Sequence, residues 1–255
     1  MDEPRDRLDI AYSADLGDVR QIDLFAPGAN ANGGAILWIH GGGWSAGNRR
    51  QWHACARHFR DLGYVCASAS YRLAPDTRWP GQIEDCRLAM AYLRGRARDF
   101  GFDPQRIAAA GSSAGGHLTA MLATDGPAHG QTRPNAAICY CAVLTVHEGD
   151  RLSDAVHRLL GKPEADAPDL YREASPIDRV SGREPPFLFL HGDADETVPP
   201  AQSRAMHAKL QAAGAASELV ELPGVEHGFG YGVTTDAQKA SVQHIARFLA
   251  GHFGL

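Results

Sequence analysis

Residues Gly111-Ser112-Ser113-Ala114-Gly115 form a G-x-S-x-G pattern. The apolar run Arg106–Ala110 precedes it and a stretch with helical spacing, Ala114–Thr124, follows, the strand-to-helix setting in which this pattern presents a nucleophile. Ser113 then sits on a sharp turn, with glycines where larger side chains would collide and with helix N-terminal amides facing any developing negative charge. Centring the pattern on Ser112 would put Ala110 and Ala114 at the small positions, so Ser113 is the better nucleophile.

A serine hydroxyl is a poor nucleophile until a histidine takes its proton, and that imidazole needs a carboxylate to set its tautomer. On a strand-turn-helix scaffold of this kind the chain order is Ser, acid, His. The turn His191-Gly192-Asp193-Ala194-Asp195-Glu196-Thr197-Val198-Pro199 supplies Asp195 as the acid, with Asp193 as the alternative. A loop histidine, His227 in Val225-Glu226-His227-Gly228-Phe229, supplies the base. With 12 histidines in the chain, most must be structural. His117 and His207 fall inside helical stretches and His191 ends a strand, so these read as packing or surface groups. If His227 titrates near its ordinary value of about 6.5, the rate should rise through neutral pH as the base loses its proton.

His40-Gly41-Gly42-Gly43-Trp44 ends another apolar run. Its glycines allow the backbone close to a ligand, and the amides of Gly42, Gly43 and Ala114 could form an oxyanion hole for a tetrahedral intermediate. His40 reads as orienting this loop, and Trp44 as a substrate-binding candidate. No histidine or carboxylate grouping has metal-ligand spacing such as H-E-x-x-H, and the serine chemistry requires no cofactor, so neither a metal nor a cofactor is expected.

The elements that must position these groups alternate. Apolar runs at Val19–Phe25, Ala35–His40, Val65–Ser70, Arg106–Ala110, Ala136–Tyr140, Phe187–His191 and Ser217–Leu222 read as strands. Between them Gln51–Leu62, Gln82–Arg98, Ala114–Thr124, Ala201–Ala213 and Ala237–Phe248 carry apolar residues at three- and four-residue spacing. That rhythm predicts an α/β fold with a mostly parallel sheet and helices on both faces. Several strands lack polar alternation, as strands covered on both faces should. The 255 residues are read as one domain, 1–255, in which 144–186 breaks the rhythm and reads as a small insert near the pocket, with a helical stretch around Ser153–Leu160.

Composition excludes other classes. The balance of 25 basic against 30 acidic residues, with no basic run, lacks the stripe that nucleic acid requires. The N-terminal MDEPRDRLDI has no apolar core of a leader, and the longest apolar stretch, Ala136–Val146, is too short to span a bilayer; the expectation is a cytoplasmic protein without membrane attachment. The five cysteines are odd in number and contain no C-x-x-C, and so read mostly as core thiols. Oligomeric state leaves no signal.

Five motifs in this order, HGGGW at 40–44, SYRLAP at 70–75, GSSAGGH at 111–117, HGDADETVP at 191–199 and EHGF at 226–229, resemble the α/β-hydrolase esterases near the hormone-sensitive-lipase group. The similarity is greatest to small members akin to acetyl-xylan and feruloyl esterases, and it covers roughly residues 18–250. It implies an α/β-hydrolase fold, the acid at Asp195, and oxyanion donors at Gly42, Gly43 and Ala114. SYRLAP looks like the structural turn of such enzymes, with Arg72 expected to pair with Glu84 or Asp85. Only 39 residues precede the glycine loop, too few for the N-terminal helical cap of the larger members, so little or no cap and an open pocket are expected.

The implied activity is that of a serine carboxylesterase on small or short-acyl esters, acetylated or aryl esters among them, with a small-molecule ester as partner. An arylformamidase-type amidase with the same triad is the nearest rival. A non-catalytic small-molecule receptor is the alternative of a different class, since this fold also serves binding when a triad member is lost.

Overall fold

The computed structural model describes residues 5–16, 19–126, 129–147 and 153–255. Among these, eight strands form a single sheet: β1 (Arg5–Ala11), β2 (Gln21–Ala26), β3 (Ala35–Ile39), β4 (Val65–Ala69), β5 (Ile107–Ser112), β6 (Ala136–Tyr140), β7 (Phe187–Gly192) and β8 (Ser217–Leu222). Their spatial order is β1-β2-β4-β3-β5-β6-β7-β8. β1 and β2 pair antiparallel, as do β2 and β4, and every later pairing is parallel.

Strands β3 to β7 are buried at every residue, which is why they read as unbroken apolar runs. Their alternate side chains feed two sides. Ile36, Trp38, Cys66 and Leu188 pack with α1 (His53–Asp61) and α8 (Asp236–Phe253). Leu37, Ile39, Val65 and Ala109 pack with α2 (Gly81–Gly95) and α4 (Ala114–Ala123). On this second side Phe187 and Phe189 meet α7 (Ala201–Ala212). α3 (Ala97–Phe100) continues α2 after a break at Arg96, while α5 (Ser153–Leu160) and α6 (Pro168–Glu173) lie between β6 and β7. No helix among the described residues is long and apolar enough to cross a membrane.

Two differences from the sequence reading have clear causes. β1 was not expected: six of its seven residues are exposed and most are charged, so it carries no apolar pattern, and the ladder to β2 alone makes it a strand. Charge on an edge strand also discourages pairing with another chain. The strand expected from Val19 starts at Gln21, because Val19 and Arg20 both donate to the Leu16 carbonyl in a turn.

The SYRLAP turn is held by Asp85, whose side chain is fully buried. Arg72 reaches Asp85 with its Nε at 2.9 Å and Glu84 with Nη2 at 3.2 Å, so the expected pairing takes both partners. Asp85 also accepts from the buried Arg20 at 2.8 Å. Removing one member of such a buried group leaves the others unpaired. We therefore expect Asp85→Asn to lower unfolding free energy by about 3 kcal/mol or more, read from urea denaturation; an unchanged midpoint would contradict this role.

Candidate active site

β5 runs into α4 without an intervening loop, and the turn residue is Ser113, at φ 56° and ψ −120°. An L-residue adopts such a conformation at a cost of order 1–3 kcal/mol, which surrounding structure must outweigh. The neighbouring glycines are required by close approach: a Cβ on Gly111 would lie 2.3 Å from the Gly115 carbonyl oxygen, and one on Gly115 would lie 2.2 Å from that of Ile39. Ser113 N–H donates to the Tyr140 carbonyl at 2.9 Å, tying the turn to the end of β6.

β7 lies beyond β6 and β8 beyond that, so the loops after these two strands reach the same end of the sheet. There the three residues singled out from sequence form one line. His227 Nδ1 lies 2.7 Å from Asp195 Oδ2, and Nε2 lies 3.0 Å from Ser113 Oγ. With Nδ1–H donating to the carboxylate, Nε2 is the acceptor for the serine hydroxyl. Asp195 Oδ1 in turn accepts the amides of Thr197 and Val198, each at 2.9 Å. Asp193 is exposed and points elsewhere, its Oδ1 accepting the Gly224 amide at 2.6 Å.

His191, at the end of β7, is more than the packing or surface group expected of it. It is fully buried, and its Nε2 lies 3.2 Å from Asp195 Oδ2 and 3.0 Å from the Val198 carbonyl, while Nδ1 meets Ser203 Oγ at 2.7 Å. Burial alone would raise the Asp195 pKa, but the His191 and His227 rings and the Val198 amide outweigh it and hold the carboxylate well below its ordinary range. Burial likewise opposes a charged His227, yet Asp195 and the Cys141 thiol more than offset it and hold this imidazole above its ordinary value. The acid limb expected near 6.5 therefore moves to higher pH.

The glycine loop lies against this line; a side chain on Gly41 would come within 3.3 Å of Ser113 Cβ. Gly42, Gly43 and Trp44 follow one another at φ 108°, 58° and 57°. At Gly42 a Cβ would also stand 2.3 Å from the Ala46 carbonyl oxygen, which only glycine avoids. The amides of Gly42, Gly43 and Ala114 take no partner among the described residues, whereas Gly41 N–H donates to Tyr231 Oη at 2.8 Å. His40 Nδ1 meets the Gly41 carbonyl at 2.8 Å, and its ring stacks on Tyr71.

Trp44 does not offer a face to a ligand. It is 1% exposed, and its indole N–H donates to His117 Nδ1 at 3.1 Å. His117 Nε2 donates onward to the Ala174 carbonyl at 2.7 Å. Burial lowers the His117 pKa to about 4, keeping the ring neutral and able to accept from Trp44. A tryptophan beside a glycine loop thus braces the loop from behind.

Within 144–186 the described residues, 144–147 and 153–186, are fastened at several points. Besides Ala174, Trp79 N–H donates to the Leu159 carbonyl and Val146 N–H to Ser175 Oγ, each at 3.0 Å. His147 bridges Glu164 and Asp178. Ala155 stands close to Gly43, 3.7 Å from where its Cβ would be.

A family model described as BD-FAE matches residues 22–210. Esterase LipQ of Mycobacterium tuberculosis is 34% identical over 250 residues, 92% of this chain and 58% of LipQ. The chain belongs to the BD-FAE family. It is 28% identical to an ethyl acetate hydrolase of Pseudomonas putida, over 89% of this chain and 77% of that protein. Esterase 2 of Thermogutta terrifontis superposes with a TM-score of 0.81 at 26% identity, covering 98% of this chain and 92% of the other. The BD-FAE chain has the α/β-hydrolase fold, as its motifs implied, with no obvious cap over the sheet among the described residues. It spans about half the length of the first curated relatives it matches, 58%, 56% and 52% of them.

The electrostatics of His227 can be read directly. An NMR titration of its ring should place the pKa above 6.5, and Asp195→Asn should lower it; a native value at or below 6.5 would contradict this arrangement.

Proposed function

We propose that this chain is a serine carboxylesterase acting on small or short-acyl esters, acetylated or aryl esters among them, with Ser113, His227 and Asp195 as its triad. The observation that carries the reading is the hydrogen-bonded line from Asp195 through His227 to Ser113, at 2.7 and 3.0 Å. Ser113 Oγ attacks the acyl carbon as His227 Nε2 takes its proton, and the oxyanion is received by the amides of Gly42, Gly43 and Ala114. His227 returns the proton to the leaving alcohol. Water, deprotonated by the same imidazole, then releases the acid from the acyl-serine, and no cofactor enters the cycle.

The single sheet supports treating the chain as one catalytic domain, with the described residues 144–147 and 153–186 as one wall of the pocket. Ala155 close to Gly43 and the anchoring of this wall through Ala174 favour a short acyl group. Thermogutta terrifontis esterase 2, solved with butyrate and with propionate bound, points the same way.

Hydrolysis of p-nitrophenyl esters from acetate to decanoate tests the reading. A short-chain optimum is expected, abolished by Ser113→Ala and reduced by about 10⁴ in Asp195→Asn, where the imidazole tautomer is lost. Asp193→Asn should keep most of the activity. No ester hydrolysis by the native chain would sink the proposal, and higher kcat/KM on N-formylkynurenine would reassign the site to amide cleavage.

A further inference from the structure

β6 runs between the strand that carries the nucleophile and the strand that carries the acid, so the residue after its last position comes up beneath the His227–Asp195 pair. That residue is Cys141. It is fully buried, has φ 35°, and its N–H donates to the Leu190 carbonyl at 2.9 Å. Its Sγ lies 3.4 Å from Ser112 Oγ, and the donor atoms of Cys141, Asp195 and His227 all lie within 4.8 Å of one another.

Thiolate, imidazole and carboxylate are the donor set that zinc takes, with bonds of about 2.3 Å to sulfur and about 2.0–2.2 Å to nitrogen and oxygen. Two donors on one tetrahedral ion stand roughly 3.2–3.7 Å apart on those lengths, so the cluster needs modest closure on the sulfur side and opening of the 2.7 Å His227–Asp195 contact. Both flanks are already braced, Asp195 by two backbone amides and His191, Cys141 by Ser112. Second-layer contacts of this kind hold metal ligands in place. An open groove of about 550 Å³ lies beside His227, lined by Glu196, Glu226, Ala194 and Thr197.

We propose that Cys141, Asp195 and His227 form an inhibitory site for a borderline-soft divalent cation such as zinc. On binding, the thiol gives up its proton to solvent, and the proton on His227 Nδ1 leaves that nitrogen and is retaken at Nε2, so that Nδ1, the Asp195 carboxylate and the sulfur face the metal. His227 is then withdrawn from Ser113. The inhibition rests on the esterase reading above; the binding does not.

Cadmium, which shares this donor preference and gives an ultraviolet thiolate charge-transfer band, probes binding without turnover. Titrated into native and Ser113→Ala protein, it should give a band saturating at one equivalent per chain, absent in Cys141→Ala and weakened at least tenfold in His227→Ala. Zinc should inhibit ester hydrolysis by the native chain, EDTA should restore it, and Cys141→Ala should resist zinc relative to its own metal-free rate. Cys141→Ser keeps the hydrogen bond to Ser112 while offering a poor ligand, so it decides the matter if the alanine variant does not fold. No cadmium band in the native chain, a band that survives both Cys141 substitutions, or undiminished zinc inhibition in them would overturn the site. Cadmium binding through Cys141 in a native chain that cleaves no ester would uphold the site and remove only the esterase reading.

Discussion

At the turn from β5 into α4, three backbones meet with no room for side chains between them. The register of the sheet sets Gly111 beside Ile39, and α4 begins one residue after Ser113, so the Gly115 backbone is pressed against the end of β3. Strain at Ser113 persists because the two flanking elements are held by the core, not because the turn favours it locally. The same contact brings the glycine loop after β3 against Ser113, and with it a row of backbone amides. Loosening that junction by one methyl group would displace both.

Among the described residues, the buried aspartates separate into two kinds. Asp23, Asp85 and Asp125 face arginines: Arg49 at 2.9 Å, Arg72 at 2.9 Å and Arg87 at 2.7 Å. A guanidinium stays charged over the accessible pH range, so these pairs are fixed fasteners. Asp195 instead faces two histidines and two amides. Its partners keep it ionised without committing a permanent positive charge, which leaves His227 free to gain and lose a proton beside Ser113. The same end of the sheet groups nitrogen, oxygen and sulfur donors of His227, Asp195 and Cys141 beneath the serine.

Neutral histidines do a different job behind the glycine loop. His117 accepts from Trp44 and donates to Ala174, and burial, by holding its pKa near 4, keeps one nitrogen available as acceptor. One ring thereby joins the glycine loop, α4 and the residue that follows α6. Tyr231 makes a second link, from the loop that carries His227 to the Gly41 amide.

By itself the sequence determined the alternating architecture, the turn at Ser113 and the glycine loop, because each is encoded over a few adjacent residues by apolar periodicity or by glycines at fixed offsets; the pairing of Arg72 with Glu84 and Asp85, 12 and 13 positions on, was legible only through the family resemblance. The edge strand β1 escaped this reading, since a charged, exposed strand exists only through its ladder to a neighbour. Tertiary structure alone turned Asp193 onto the Gly224 amide, set Trp44 in the core, made His191 a partner of Asp195 and brought Cys141 beneath the His227–Asp195 pair. Those outcomes depend on ångström distances between residues 31 to 114 positions apart, or on the direction of a side chain within one turn, and strand order in the sheet sets them.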